Sequence, residues 1–229
     1  AVNGIYCEGA SPTITNCTIR NNTDGIEADA GSQPTITGNA FTGNTYPVKI
    51  YSRRIDNNLS GNTYSGNFAA DTSSSDYIYV YGNGDEYRLF ENKTYDWLAD
   101  GAPYRMMANT HVWEDGDNNQ VAILKIHPQA ILAFEPGKYL HIGHTSDGNA
   151  GALQADSVTF TCVDSASTWI EILMRPYSRS DLTFVENSII ERAITGIYCE
   201  SASPTITNCT IRNNTNGINA DAGSQPTIT

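Results

Sequence analysis

Apolar residues recur singly and in alternation along the chain, flanked by Thr, Asn and Gly. In residues 11–28 the apolar positions Ile14, Ile19 and Ile26 sit between polar neighbours. That alternation, with period two and broken every few residues, predicts short strands with one face inward rather than helices. Runs of Leu, Ala, Glu and Lys at helical spacing are missing. The pattern also repeats. Ser11-Pro12-Thr13-Ile14 returns as Gln33-Pro34-Thr35-Ile36. Ile19 and Asn22 return as Phe41 and Asn44, then as Tyr64 and Asn67. Gly4-Ile5 returns as Gly25-Ile26, and Ile190 precedes Ile211 by the same step of 21. A period of 21–23 with Asn or Gly at corners predicts an all-β solenoid, each coil contributing about three strands that pair with the next coil. Asn22, Asn44 and Asn67 are then expected to stack as an Asn ladder at one tight corner.

A second, longer period encloses the first. Residues 4–37 and 196–229 are identical at 31 of 34 positions, 192 residues apart. The differences are Gly9/Ser201, Asp24/Asn216 and Glu27/Asn219. The chain is therefore expected to be an excerpt of a tandem array with a 192-residue unit of about eight coils. Four regions are expected: regular coils over 1–68, an irregular strand-rich junction over 69–120, early coils over 121–192, and the start of the next copy over 193–229.

Residues 4–22, opening Gly4-Ile5-Tyr6-Cys7 and running through the Thr13-Ile14-Thr15 and Thr18-Ile19-Arg20 triplets, resemble the repeat of right-handed parallel β-helix proteins of the pectate-lyase-like superfamily. Residues 121–162 resemble the opening coils of such proteins, with an apolar strand, the Pro136-Gly137 turn and a Gly-rich corner. Residues 169–229 and 1–68 resemble their later coils. The resemblance implies a right-handed β-helix and says little about function, because that superfamily includes lyases, phage fibres and surface proteins.

Charge narrows the partners. The 229 residues carry 13 Lys plus Arg against 25 acids, a net charge of −12, which disfavours a nucleic-acid partner. No apolar run approaches the roughly 18 residues of a membrane span. No catalytic residue is assigned. Asp24, Glu27, Asp29 and Asp56 are scattered, and two of them are Asn in the second copy. Arg53-Arg54 lies near Lys49 and Asp56 without acids in register. His141-Ile142-Gly143-His144 reads as a strand end and corner. Asp115, Asp117 and Asn118, in an oxygen-rich loop after Glu114, are the candidate calcium ligands; no other cofactor is expected.

The remaining candidates are structural. Cys7, Cys17 and Cys162 are expected as buried thiols, with a Cys7–Cys17 bridge as the alternative; Cys199 and Cys209 are second copies. Asn21, Asn58, Asn92 and Asn213 are glycosylation candidates within Asn-x-Ser/Thr, whereas Asn16 and Asn208 are expected to be buried. Tyr77, Tyr79 and Tyr81 alternate on one strand, either as packing at the junction or as an exposed aromatic strip. Thr13-x-Thr15 over Thr35-x-Thr37 forms short Thr ranks. The expected function is a structural unit of an extracellular fibre or cell-surface stalk, its partner being itself, end to end. A polysaccharide-binding or polysaccharide-cleaving surface β-helix is the alternative, and an ice-binding solenoid the third.

Overall fold

The computed structural model describes residues 1–68, 76–82, 86–114, 120–145 and 149–229, without the side chains of 86 and 87. It is an all-β, right-handed parallel β-helix of about eight turns, with one 3₁₀ turn at Ser52–Arg54. Every strand pairing is parallel. A nine-stranded sheet runs the length of the molecule, one strand per turn, from Asn3–Cys7 through Asp24–Ala28, Tyr46–Tyr51, Ile78–Tyr81, Tyr104–Met106, Ile131–Phe134, Thr159–Cys162 and Ile189–Glu191 to Thr210–Arg212. Eight steps of roughly 4.8 Å give a rod of about 40 Å.

The core is a set of inward files. Along the long sheet one file reads Ile5, Ile26, Val48, Ile78, Tyr104, Leu132, Phe160, Ile190 and Ile211. All its members between the two end residues are buried. Each such side chain contributes about 1.5–3 kcal/mol when removed from water, but only if a coil lies on either side of it. Aromatic pairs fill the wider coils: Phe41 stacks on Tyr64 at 5.1 Å, and Phe134 on Trp169 at 4.4 Å.

Two other sheets flank the long one at the N-terminal end, each of three strands: Thr13–Thr15, Thr35–Thr37 and Leu59–Ser60, then Thr18–Arg20, Ala40–Thr42 and Thr63–Ser65. Beyond residue 85 they give way to two six-stranded sheets, one from Glu86–Leu89 to Asn216–Ala220, the other from Thr94–Trp97 to Thr227–Ile228. The stretch 69–120 is thus where the cross-section changes. Its described residues are strands of the same helix, since Ile78–Tyr81 pairs with Tyr46–Tyr51 on one side and Tyr104–Met106 on the other.

The regular period of 21–23 holds only near the two ends. In the middle of the long sheet, successive partners such as Val48 and Ile78, Tyr104 and Leu132, or Phe160 and Ile190 are 28–30 residues apart. The 192-residue repeat therefore spans seven turns and one face. The first Gly-Ile-Tyr-Cys strand lies in the long sheet, whereas its copy, within Ala193–Cys199, lies in the next sheet along the chain. The copy in the long sheet is instead Thr210–Arg212, counterpart of Thr18–Arg20.

Corners are set by residues that tolerate positive φ. Asn16 (54°), Gly38 (67°), Gly61 (66°), Ser157 (57°), Asn187 (50°) and Asn208 (52°) each turn the chain one residue before an inward position. A left-handed backbone costs Gly nothing and Asn little.

Candidate functional site

The predicted ladder is present. Asn44 Oδ1 accepts from the backbone N–H and Nδ2 of Asn22, both at 3.1 Å. Asn67 Oδ1 does the same for Asn44, at 2.9 and 3.2 Å, and Asp76 Oδ1 for Asn67, at 3.1 and 2.7 Å. A parallel ladder stands one corner away. Asn39 donates from its N–H and Nδ2 to Asn62 Oδ1 at 2.9 and 3.1 Å. Asn62 donates likewise to the Asp100 carboxylate at 2.9 and 2.7 Å. Both Asn also cap a carbonyl of the coil below, Ile14 O and Ile36 O. Burial raises the Asp100 pKa against these hydrogen bonds, which oppose it.

The cysteines split. All five are free, and Cys7, Cys162 and Cys199 are buried. Burial raises their thiol pKa, to about 11 for Cys199. Cys17 departs from the expected burial and is exposed. It occupies the corner position held by Asn39 in the next coil, to which its own N–H donates at 2.9 Å, and no described coil lies on its other side. Cys17 is expected to be the first thiol alkylated by iodoacetamide in the folded protein. Cys7, Cys162 and Cys199 should react only on unfolding, a difference that peptide mapping would measure.

Among the glycosylation candidates, Asn21, Asn92 and Asn213 are exposed, as are Asn16 and, to a lesser extent, Asn208, which were expected inside. Their positive-φ corner geometry turns these last two side chains outward. Asn58 is a correction: it is buried, and its Nδ2 donates to Pro34 O and Arg54 O at 2.7 and 2.9 Å, so no glycan nitrogen is available. Tyr79 is buried, packed edge-on against Tyr46 at 4.8 Å, while Tyr77 and Tyr81 are half-buried and Tyr81 Oη donates to Ala28 O. The calcium candidates Asp115, Asp117 and Asn118 lie outside the described residues. Arg53 and Arg54 both donate to Ala30 O. The Thr ranks of the two copies lie in different sheets, since Thr13–Thr15 and Thr205–Thr207 do not share one.

The densest polar cluster off the axis was not legible in the sequence. On the outer face of the six-stranded sheet that contains Asn109–Val112, His111 pairs across strands with His141. Both are more than nine-tenths buried. Tyr139 stacks on His141 at 3.8 Å, Trp113 meets His111 edge-on at 4.5 Å, and His144 lies 4.9 Å from Trp113. Glu171 Oε1 stands 3.7 Å from His141 Nε2, and Arg175 faces Glu200. Nδ1 of each imidazole and Oε2 of buried Glu114 have no hydrogen-bond partner among the described residues. Burial pushes the His111 pKa down to about 3, helped by the neighbouring His141 and Arg175; burial also lowers His141, with Glu171 opposing. Both rings are neutral at pH 7. They carry no nucleophile or oriented acid between them, and no group of three or more His, Cys, Asp or Glu among the described residues is arranged to hold a metal ion. The signal that could have found the pair is register: 30 residues separate them, one long coil.

A family model described as a right-handed β-helix region matches residues 3–119, half of the chain. The chain belongs to that family. Comparison with curated proteins and with solved structures found no match. Among the described residues, no helix is long and apolar enough to cross a membrane.

Proposed function

We propose that this chain is a structural unit of an elongated β-helical rod in an extracellular fibre or cell-surface stalk, extended by stacking coil on coil. The observation that carries this reading is that the two copies rebuild the same corner. In the first, Ala10 N–H donates to Ser32 Oγ at 3.1 Å, and Ser32 Oγ donates to Cys7 O at 2.9 Å. In the second, Ala202 N–H donates to Ser224 Oγ at 3.1 Å, and Ser224 Oγ to Cys199 O at 2.8 Å. Asp29 and Asp221 accept from Gly31 and Gly223 N–H in the same way.

The coil over 24–37 has a known occupant on its far side: Ile26 carries Val48, Ala28 carries Ile50, and Ile36 carries Leu59. Ile218, Ala220 and Ile228 offer the same side chains in the second copy. They suit the same kind of coil, from the same polypeptide or another. Negative-stain microscopy and small-angle scattering of purified material test the idea. Filaments with an axial repeat of about 35 Å, seven turns and a face, are the expected result. Uniform particles no longer than one chain at all concentrations would overturn it.

A further inference from the structure

The outer face of the long sheet brings together a lysine and two acids from adjacent coils. Lys49, on Tyr46–Tyr51, lies directly across from Glu27 on Asp24–Ala28. Its Nζ is 3.0 Å from Glu27 Oε1 and 3.5 Å from Asp24 Oδ1. Asp24 is 6% exposed, and its Oδ1 accepts no hydrogen bond among the described residues. Tyr46 and Tyr81 flank the ammonium, with ring centroids 5.7 and 5.6 Å away. Asn3 Nδ2 donates to the other Glu27 oxygen at 3.0 Å and so fixes that carboxylate. A primary amine thus stands in a half-dry, aromatic-walled site beside one carboxyl group with an unused oxygen and a second carboxylate held in place.

We propose that Lys49 and Asp24 form an intramolecular isopeptide bond that staples two neighbouring coils, with Glu27 as the proton carrier. The ammonium first yields a proton to Asp24, leaving a neutral amine and a neutral carboxyl group. Nζ attacks Asp24 Cγ, and the new N–C bond gives a tetrahedral centre. Glu27 takes a proton from that nitrogen and delivers it to the departing hydroxyl, which leaves as water. Glu27 ends as it began, and no oxidant or other reactant is consumed. Fixed proximity replaces the activation that amide formation ordinarily needs. Burial favours the protonated form of Asp24 although Lys49 opposes it. Burial also works against the Lys49 charge, but Glu27 and Asp24 outweigh it and hold the pKa raised, so the carrier is needed to move the proton.

The repeat adds a separate observation. Of the three differences between its copies, two replace these acids, giving Asn216 for Asp24 and Asn219 for Glu27. The positions that vary are the two around the lysine, while the apolar residues and glycines beside them do not change.

Intact-mass measurement of the folded full chain, followed by fragmentation of its tryptic peptides, tests the bond. The expected result is a mass lower than the sequence by one water and a branched peptide joining Lys49 to Asp24. Lys49→Arg should restore the full mass. Glu27→Gln should fold, with an unchanged far-ultraviolet spectrum, but keep the full mass. An unmodified wild-type mass overturns the proposal without any variant. Water loss that persists in Lys49→Arg also overturns it, because it assigns the loss to cyclisation at Asp24-Gly25. Full crosslinking in Glu27→Gln removes Glu27 from the role of carrier.

Discussion

Asn62→Ala is expected to cost about 3–5 kcal/mol of stability, enough to consume much of a marginal fold. The side chain is buried and joins three coils at once. Its oxygen serves Asn39, and its nitrogen serves Ile36 O and the Asp100 carboxylate. Alanine would leave an amide, a carbonyl and part of a carboxylate buried without partners. Each such orphan costs more than a hydrogen bond contributes when formed. Tyr64 Oη would still donate to Asp100 at 3.0 Å, so the carboxylate would not be stranded altogether. Urea unfolding of wild type and variant would measure the difference. Asn22→Ala, at the less buried end of the other ladder, serves as the comparison and should cost about 1 kcal/mol. Equal losses in the two variants would contradict the ladder argument.

The second large effect is loss of stability in mild acid. His111 and His141 have folded pKa values below the ordinary 6.5 of the unfolded chain, because burial disfavours the charged ring. The unfolded state therefore binds more protons, and stability rises with pH. The full contribution is present above about pH 6.5 and is lost progressively as pH falls toward the folded value, about 3 for His111. Between pH 7 and pH 5 the loss is about 2 kcal/mol for His111, with His141 adding to it in the same direction. The carboxylates with lowered pKa act further down. Asp29, held chiefly by Ser32, and Asp221, held chiefly by Ser224, lose their contribution only below the usual carboxylate range. Asp24 and Asp100, raised by burial, act in the opposite sense and are relieved by acid. Melting temperatures between pH 7 and pH 5 should fall steeply in wild type and less so in His111→Gln. A variant slope equal to that of wild type would remove the imidazole from this role.

The parts legible in the sequence were those governed by local geometry at short period. Alternation placed Ile14, Ile19 and Ile26 inside, and the recurrence of Asn22, Asn44 and Asn67 located one ladder. The second ladder carries the same signature, Gly38-Asn39 and Gly61-Asn62, a left-handed corner followed by an inward amide. It was obscured because its first member is Cys17 and its last is Asp100, after a coil of different length. The coil count was misjudged for a related reason: surface loops lengthen the central coils without changing the stacked strands. The histidine pair and the site around Lys49 depend on which residues face across adjacent coils. That register is set by the lengths of the intervening loops, which alternation alone does not reveal. Burial of Asn58 was hidden in the same way, since its partners belong to the neighbouring coil and to the 3₁₀ turn.

The extra face in the 192-residue period gives the rod a handedness beyond that of the coil. A stack that kept this period would turn each successive copy by a third of a revolution while advancing about 35 Å. Any surface mark, such as the Asp29–Ser32 corner or its counterpart at Asp221–Ser224, would then trace a right-handed spiral that realigns only at every third copy, about 105 Å along. Two rods lying side by side could meet through equivalent patches only at that interval, so lateral contacts would be sparse and evenly spaced rather than continuous.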